Sequence, residues 1–86
     1  MKIYNYEGKA NIIGPRVRQV RKQLKLSQDE LAAKMQVKNI DVTQRVISRI
    51  ETQERFVADF ELRALAEILD VDIYWLLGQE MIPQSL

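Results

Sequence analysis

The sequence predicts an all-α domain of five helices, and three observations carry that expectation. Apolar residues recur at spacings of three and four along most of the chain, the period of a helix with one buried face. Only three Gly and two Pro interrupt 86 residues, and the hydrophobic fraction is 47%. That composition suits a compact helical chain better than a disordered or all-β one. Side chains that cap helix starts stand ahead of apolar runs at Ser27, Thr43 and Asp72. A chain of this length has room for one small domain with a single core.

Residues 1–11 show no helical period and hold Tyr4, Asn5, Tyr6, Gly8 and Asn11. They are expected to form an arm, mobile or laid against a domain spanning residues 12–78. Gly14 and Pro15 open helix 1, since Pro is tolerated in the first turn and not inside a helix. It is expected to run to about Lys25, with Val17, Val20 and Leu24 inward and Arg16, Arg18, Arg21, Lys22 and Lys25 around them. Ser27 and Glu30 form a capping box for helix 2, with Leu26 stapled onto Leu31. Helix 2 then runs from Gln28 to about Gln36 and buries Leu31, Ala32 and Met35.

Thr43 caps helix 3, which places Thr43, Ile47 and Ile50 on one inward stripe. A polar loop from Thr52 to Val57 leads to helix 4 near Ala58 or Asp59, where Asp59 and Glu61 suit the positive end of the helix. Its apolar face comprises Phe60, Leu62, Leu65, Ala66, Ile68 and Leu69. A short helix 5 follows, capped by Asp72 and stopped by Gly78. Residues 79–86, with Pro83, read as a frayed tail. The expected core is Val20, Leu24, Leu31, Met35, Ile47, Ile50, Leu62, Leu65, Leu69, Val71, Ile73 and Leu76.

The chain has no Cys and no His. Disulfides, thiolate metal sites, thiol nucleophiles and imidazole bases are therefore excluded. Glu51, Glu54 and Asp59 as a metal or acid/base site is a weak idea without those groups, so neither an enzyme nor a cofactor is expected. No apolar run reaches the roughly 18 residues that span a bilayer, and a cytoplasmic protein is the default. The net charge is only +1, but it is unevenly spread. Residues 1–26 carry seven Lys or Arg against one acid, while residues 56–86 carry six acids against Arg63 alone. One basic end can lie on phosphates while the acidic end stays in solvent or meets a partner.

Helix 3 draws the functional expectation. At about 100° per residue, Arg45, Ser48, Arg49 and Thr52 turn away from the inward stripe, with Gln44 beside them in the first turn. No acid shares that face. Arg, Gln and Ser are side chains that hydrogen-bond base edges in a DNA major groove, Arg to guanine and Gln to adenine. Taken alone, such a surface is more often simply solvated.

Four blocks change that balance: Val17 to Lys22 (VRQVRK), Leu26 to Ala32 (LSQDELA), Val46 to Glu51 (VISRIE) and Leu65 to Val71 (LAEILDV). In this order the chain resembles the Xre or lambda-repressor-like helix-turn-helix family. The resemblance implies a five-helix lambda-repressor-like DNA-binding domain whose helix 3 enters the major groove. It implies that Gln44, Arg45 and Arg49 read bases, with Ser48 a lesser reader. It makes Gln28 a phosphate contact and Arg21 with Glu51 the pair tying helix 1 to helix 3. The turn from Gln36 to Val42 is longer than the family's usual one and lacks Gly, which adds Lys38 and Asn39 as candidate phosphate contacts. The cations Arg16, Arg18 and Arg55 are further candidates.

Helix 5 carries Ile73, Tyr74, Trp75 and Leu77, more apolar surface than a short helix buries on one side. It is the expected homodimer interface. The expected function is a sequence-specific transcriptional regulator on double-stranded DNA, a dimeric repressor of phage or mobile-element type on a near-palindromic operator. The alternative is a protein-interaction module on the same fold, such as an antitoxin-like partner.

Overall fold

A computed structural model describes residues 5–79. Tyr4 and the tail beyond Gln79 lie outside the described residues. The helices are α1 (Gly14–Gln23), α2 (Gln28–Val37), α3 (Gln44–Glu51), α4 (Asp59–Leu69) and α5 (Ile73–Leu76). Their caps are those the side chains dictate. Ser27 accepts from the Glu30 amide at 3.0 Å, while Glu30 accepts in return from the Ser27 amide at 2.9 Å. Thr43 accepts from Val46 N–H, and Asp72 from Tyr74 N–H.

α1 ends two residues earlier than its period predicts. Lys25 adopts a left-handed conformation at φ 58°, and Leu26 N–H turns back to the Arg21 carbonyl at 3.0 Å. Leu24 thereby leaves the helix and is 48% exposed, so it is not part of the core. The same device recurs after α2, α3 and α4, where Asn39, Gln53 and Asp70 hold φ values of 62°, 66° and 55°. Asn and Asp tolerate this region; Lys and Gln do so at a cost of about 1 kcal/mol, supported by the bonds that close each helix end.

Val17, Leu31, Met35, Val42, Ile47, Ile50, Leu65 and Leu76 are fully buried. Ile13, Val42 and Ala64 join the core although the helical stripes alone do not nominate them. Thr43 is exposed, because a cap residue has extended backbone and lies off the stripe of its helix. Leu62, Val71 and Ile73 are half-buried around the centre, and Phe60 is 53% exposed. The long α2 to α3 turn is folded down firmly. Val42 plugs the core, Gln36 donates its amide to the Val42 carbonyl at 2.8 Å, and Ile40 N–H returns to Met35.

The start of α1 lies against the end of α3. A Cβ at Gly14 would meet the Ile50 and Glu51 carbonyl oxygens closer than real Cβ contacts occur, so only glycine fits. Gly14→Ala must push the two helices apart. Urea unfolding should show a loss of about 1 to 3 kcal/mol, the usual range for overpacking; an unchanged midpoint would contradict this close approach.

Candidate nucleic-acid interface

The two faces of α3 separate sharply. Ile47 and Ile50 are fully buried, whereas Gln44, Arg45 and Arg49 are exposed and Ser48 is half-buried. Among the described residues neither Arg45 nor Arg49 has an ion-pair partner. Thr52 is exposed but turns its hydroxyl back toward the Ser48 carbonyl and the Glu54 carboxylate.

The one acid of α3 faces the other way. Glu51 is buried, and the buried Arg21 of α1 grips it with two donors, Nε to Oε2 at 2.6 Å and Nη2 to Oε1 at 3.0 Å. Arg21 also donates Nη1 to the Leu26 carbonyl at 2.9 Å. Its bond to Glu51 outweighs desolvation and holds the guanidinium protonated even more firmly than usual. The structural pair expected between helix 1 and helix 3 is thus present in bidentate form.

The network continues outward. Gln28, at the start of α2, donates its amide to Glu51 Oε1 at 3.0 Å. Gln44, at the start of α3, donates in turn to the Gln28 carbonyl oxygen at 2.7 Å. The first turns of both helices are therefore laced side by side, with one N–H of Gln28 still unused.

The remaining cations divide. Arg18 is exposed and has no partner among the described residues. Arg16 turns back over the domain, 4.8 Å above the Trp75 ring, and donates to the Trp75 carbonyl at 2.6 Å. Arg55 forms a bidentate pair with the buried Glu61 at 2.8 and 3.1 Å. Lys38 pairs with Glu67 at 2.8 Å, and that bond keeps the exposed Glu67 carboxylate below its usual range. As an exposed pair it is easily exchanged. Lys38 and the left-handed Asn39 sit at the far end of α2, about 15 Å from Gln28 along the helix.

Two residues of the interface carry no signal in the sequence pattern. Asn11 donates to the Ile50 carbonyl at 3.1 Å and the Arg55 carbonyl at 2.9 Å, and accepts from Gly14 N–H at 2.9 Å. Gln53 donates to the Asn11 carbonyl, and its own carbonyl accepts from Ala10 N–H. Ala10 and Asn11 are accordingly laid as a strap against the α3 to α4 loop, while residues 5–9, all exposed, form a tight turn that pairs Tyr6 with Lys9.

On the side of α5, the four apolar residues do not share one face. Trp75 is half-buried beneath Arg16, Tyr74 is 52% exposed, and Leu77 lines a shallow groove with Ile12, Val57 and Leu62. Ile73 borders a different depression, beside Phe60 and Arg63.

The sequence matches the helix-turn-helix family over residues 17–76. The chain belongs to the Xre or lambda-repressor-like helix-turn-helix family. Its solved relatives include the P22 c2 repressor in complex with synthetic operator 9T, 28% identical at a TM-score of 0.69 over 81% of this chain and 98% of the repressor's. They also include SinR, the master regulator for biofilm formation, in complex with DNA. SinR is 32% identical at a TM-score of 0.65, over 76% of this chain and 97% of its own. ComR from Streptococcus suis shares the fold at a TM-score of 0.66 and 18% identity, over 92% of this chain and 24% of ComR. No curated protein sequence matches.

Within the helix-turn-helix, α2 and α3 are the paired helices, and the turn of residues 38–43 joins them. Among the described residues, no group of three or more Asp or Glu is placed to hold a metal ion, and no helix is long and apolar enough to cross a membrane.

Asn11 is the test of the strap. Asn11→Ala removes the donors that satisfy two loop carbonyls, and thermal or urea unfolding should report a loss of about 1 to 3 kcal/mol. A loss below about 0.5 kcal/mol would mean that water serves those carbonyls equally well.

Proposed function

We propose that this helix-turn-helix protein is a sequence-specific, double-stranded DNA-binding transcriptional regulator, acting in the cytoplasm as a dimeric repressor. One observation carries the reading: Gln44, Arg45 and Arg49 stand exposed on an acid-free face of α3, directly beside the start of α2. α3 enters the major groove, where Arg45 and Arg49 donate to guanine O6 and N7, Gln44 pairs with adenine, and Ser48 contributes a weaker contact. The unused N–H of Gln28 and the positive end of α2 meet a phosphate, and the exposed Arg18 meets another. Lys38 and Asn39 would reach phosphate only where the backbone passes the far end of α2. Arg16 and Arg55 serve the fold, through Trp75 and Glu61. The operator-bound P22 c2 repressor and DNA-bound SinR support this reading.

Two copies would place two α3 helices about 34 Å apart on a near-palindromic operator. Exposed Ile12, Phe56 and Tyr74, with Leu77 beside Ile12, supply apolar surface for that contact. Ile73 borders a different depression, beside Phe60 and Arg63, and Trp75 is committed to Arg16. Repression follows by occupancy of the operator. The second reading, an antitoxin-like protein-interaction module, draws on exposed Phe60 and the depression it shares with Ile40 and Arg63.

Selection of bound duplexes from a random pool separates the two. The expected product is a two-fold-symmetric consensus whose binding falls with salt at a log-log slope of about −0.9 per phosphate neutralised. Arg45→Ala and Arg49→Ala should each cost about tenfold in preference for that consensus over random duplex. Unchanged preference in both variants would transfer the weight to the interaction module.

A further inference from the structure

On α4, Phe60, Arg63 and Glu67 follow one another at spacings of three and four, on the side of the helix turned away from the core. Ala64 shares that side yet is buried, because the end of α2 lies alongside and Lys38 reaches across to Glu67 at 2.8 Å. A groove runs between the two elements, with Lys38, Ile40 and Ala64 at its middle. One end passes between Lys34, Val37 and Ile68, and the other reaches Asp59 and Ile73. Its apolar residues face water: Val37 is 84% exposed, more than any other large apolar side chain among the described residues.

The rims are basic. Lys34 and Arg63 have no ion-pair partner among the described residues. The acids on the same surface are already engaged, Glu67 by Lys38 and Asp59 by the positive end of α4. Nor is this the surface offered to a second copy, since Leu62, which lines the groove beside Ile12 and Leu77, lies about 200° around α4 from Phe60. The base-reading face is also separate, because the end of α2 stands about 15 Å along that helix from Gln28.

From Phe60 to Ile68 the groove follows α4 for about 12 Å, the rise of two helical turns. That length admits one apolar stripe of anchors at i, i+3 or i+4, and i+7. Three cations on the rims repel a basic helix and attract an acidic one, and the apolar floor offers a nucleic-acid strand no donors. We infer that the groove between α2 and α4 is a docking site for an acidic amphipathic helix of a partner protein, occupied while α3 lies on DNA. One chain thus reads an operator with one face and recruits a partner with another. The docking itself is independent of base reading; its coexistence with DNA rests on that reading.

Two fluorescent stapled helices test it, identical in a stripe of Leu and differing only in flanks of Glu or of Lys. Each is titrated against the full chain held on a selected duplex. The Glu helix should bind and the Lys helix should not. Phe60→Ser and Arg63→Glu, both at exposed positions, should keep the melting temperature and the duplex affinity, and each should weaken the Glu helix by about tenfold. Binding of both helices alike, binding of neither, or binding that either substitution leaves unchanged overturns the docking site. A Glu helix that displaces the duplex overturns simultaneous occupancy, and self-association of the protein that Phe60→Ser abolishes assigns the groove to a second copy instead. Should the wild type select no duplex, the same titration on free protein carrying Arg45→Ala and Arg49→Ala removes the other basic face. Phe60- and Arg63-dependent binding there upholds the groove and places the failure in the DNA-reading alone.

Discussion

Burying Glu51 beneath α3 strips a carboxylate of its water, a cost of several kcal/mol for an unpaired ion. The bidentate grip of Arg21, with a further bond from Gln28, is what offsets it. Two consequences follow. α1 is bound to α3 at the point where Gly14 lets their backbones touch, and the acid of α3 is held on the inner side. The outer side of α3 is left with Gln44, Arg45, Ser48 and Arg49 and no acid of the helix itself to repel a polyanion. A buried pair of this kind contributes less to net stability than to uniqueness of arrangement, and here the arrangement is the position of α3.

The remaining contacts brace the same helix at both of its ends. Asn11 and Gln53 stitch the N-terminal strap to the carbonyls at the close of α3 and in the following loop. Arg55 and Glu61 fix where that loop enters α4, since Glu61 also accepts from the Ala58 N–H at 2.9 Å. Val42 fills the core just before the Thr43 cap. A recognition surface needs this rigidity, because side chains ordered before binding lose less entropy on reaching a base.

Local rules made much of this readable in the sequence. The Ser27 box, the Thr43 and Asp72 caps and the two faces of α3 depend on residues within one turn of each other, and all appear where the spacing puts them. The helix ends were harder to read. With Lys25 and Gln53 in a conformation that usually selects glycine, no residue type marks the stop, and Leu24 passes for core. Apart from Arg21, the fates of the paired cations were not readable. Arg16 meets Trp75 across 59 positions, and Arg55 meets Glu61 across a loop that follows no helical period. A basic residue on a surface-facing position therefore looks the same in sequence whether it waits for phosphate or ties two helices together. The hydrogen bonds that join Glu51 to Gln28 and Gln28 to Gln44 are invisible for the same reason, since they span 23 and 16 residues.

The central claim is that α3, held from beneath by Glu51, presents its outer face to the major groove. Side-chain NMR signals of Arg45, Arg49 and Gln44, followed while a selected duplex is titrated in, test it most directly. The account predicts that these three signals and Gln28 shift most, while those of Phe60, Arg63 and Glu67 on α4 stay in place. Shifts concentrated on α4, with the α3 side chains unmoved, would contradict it.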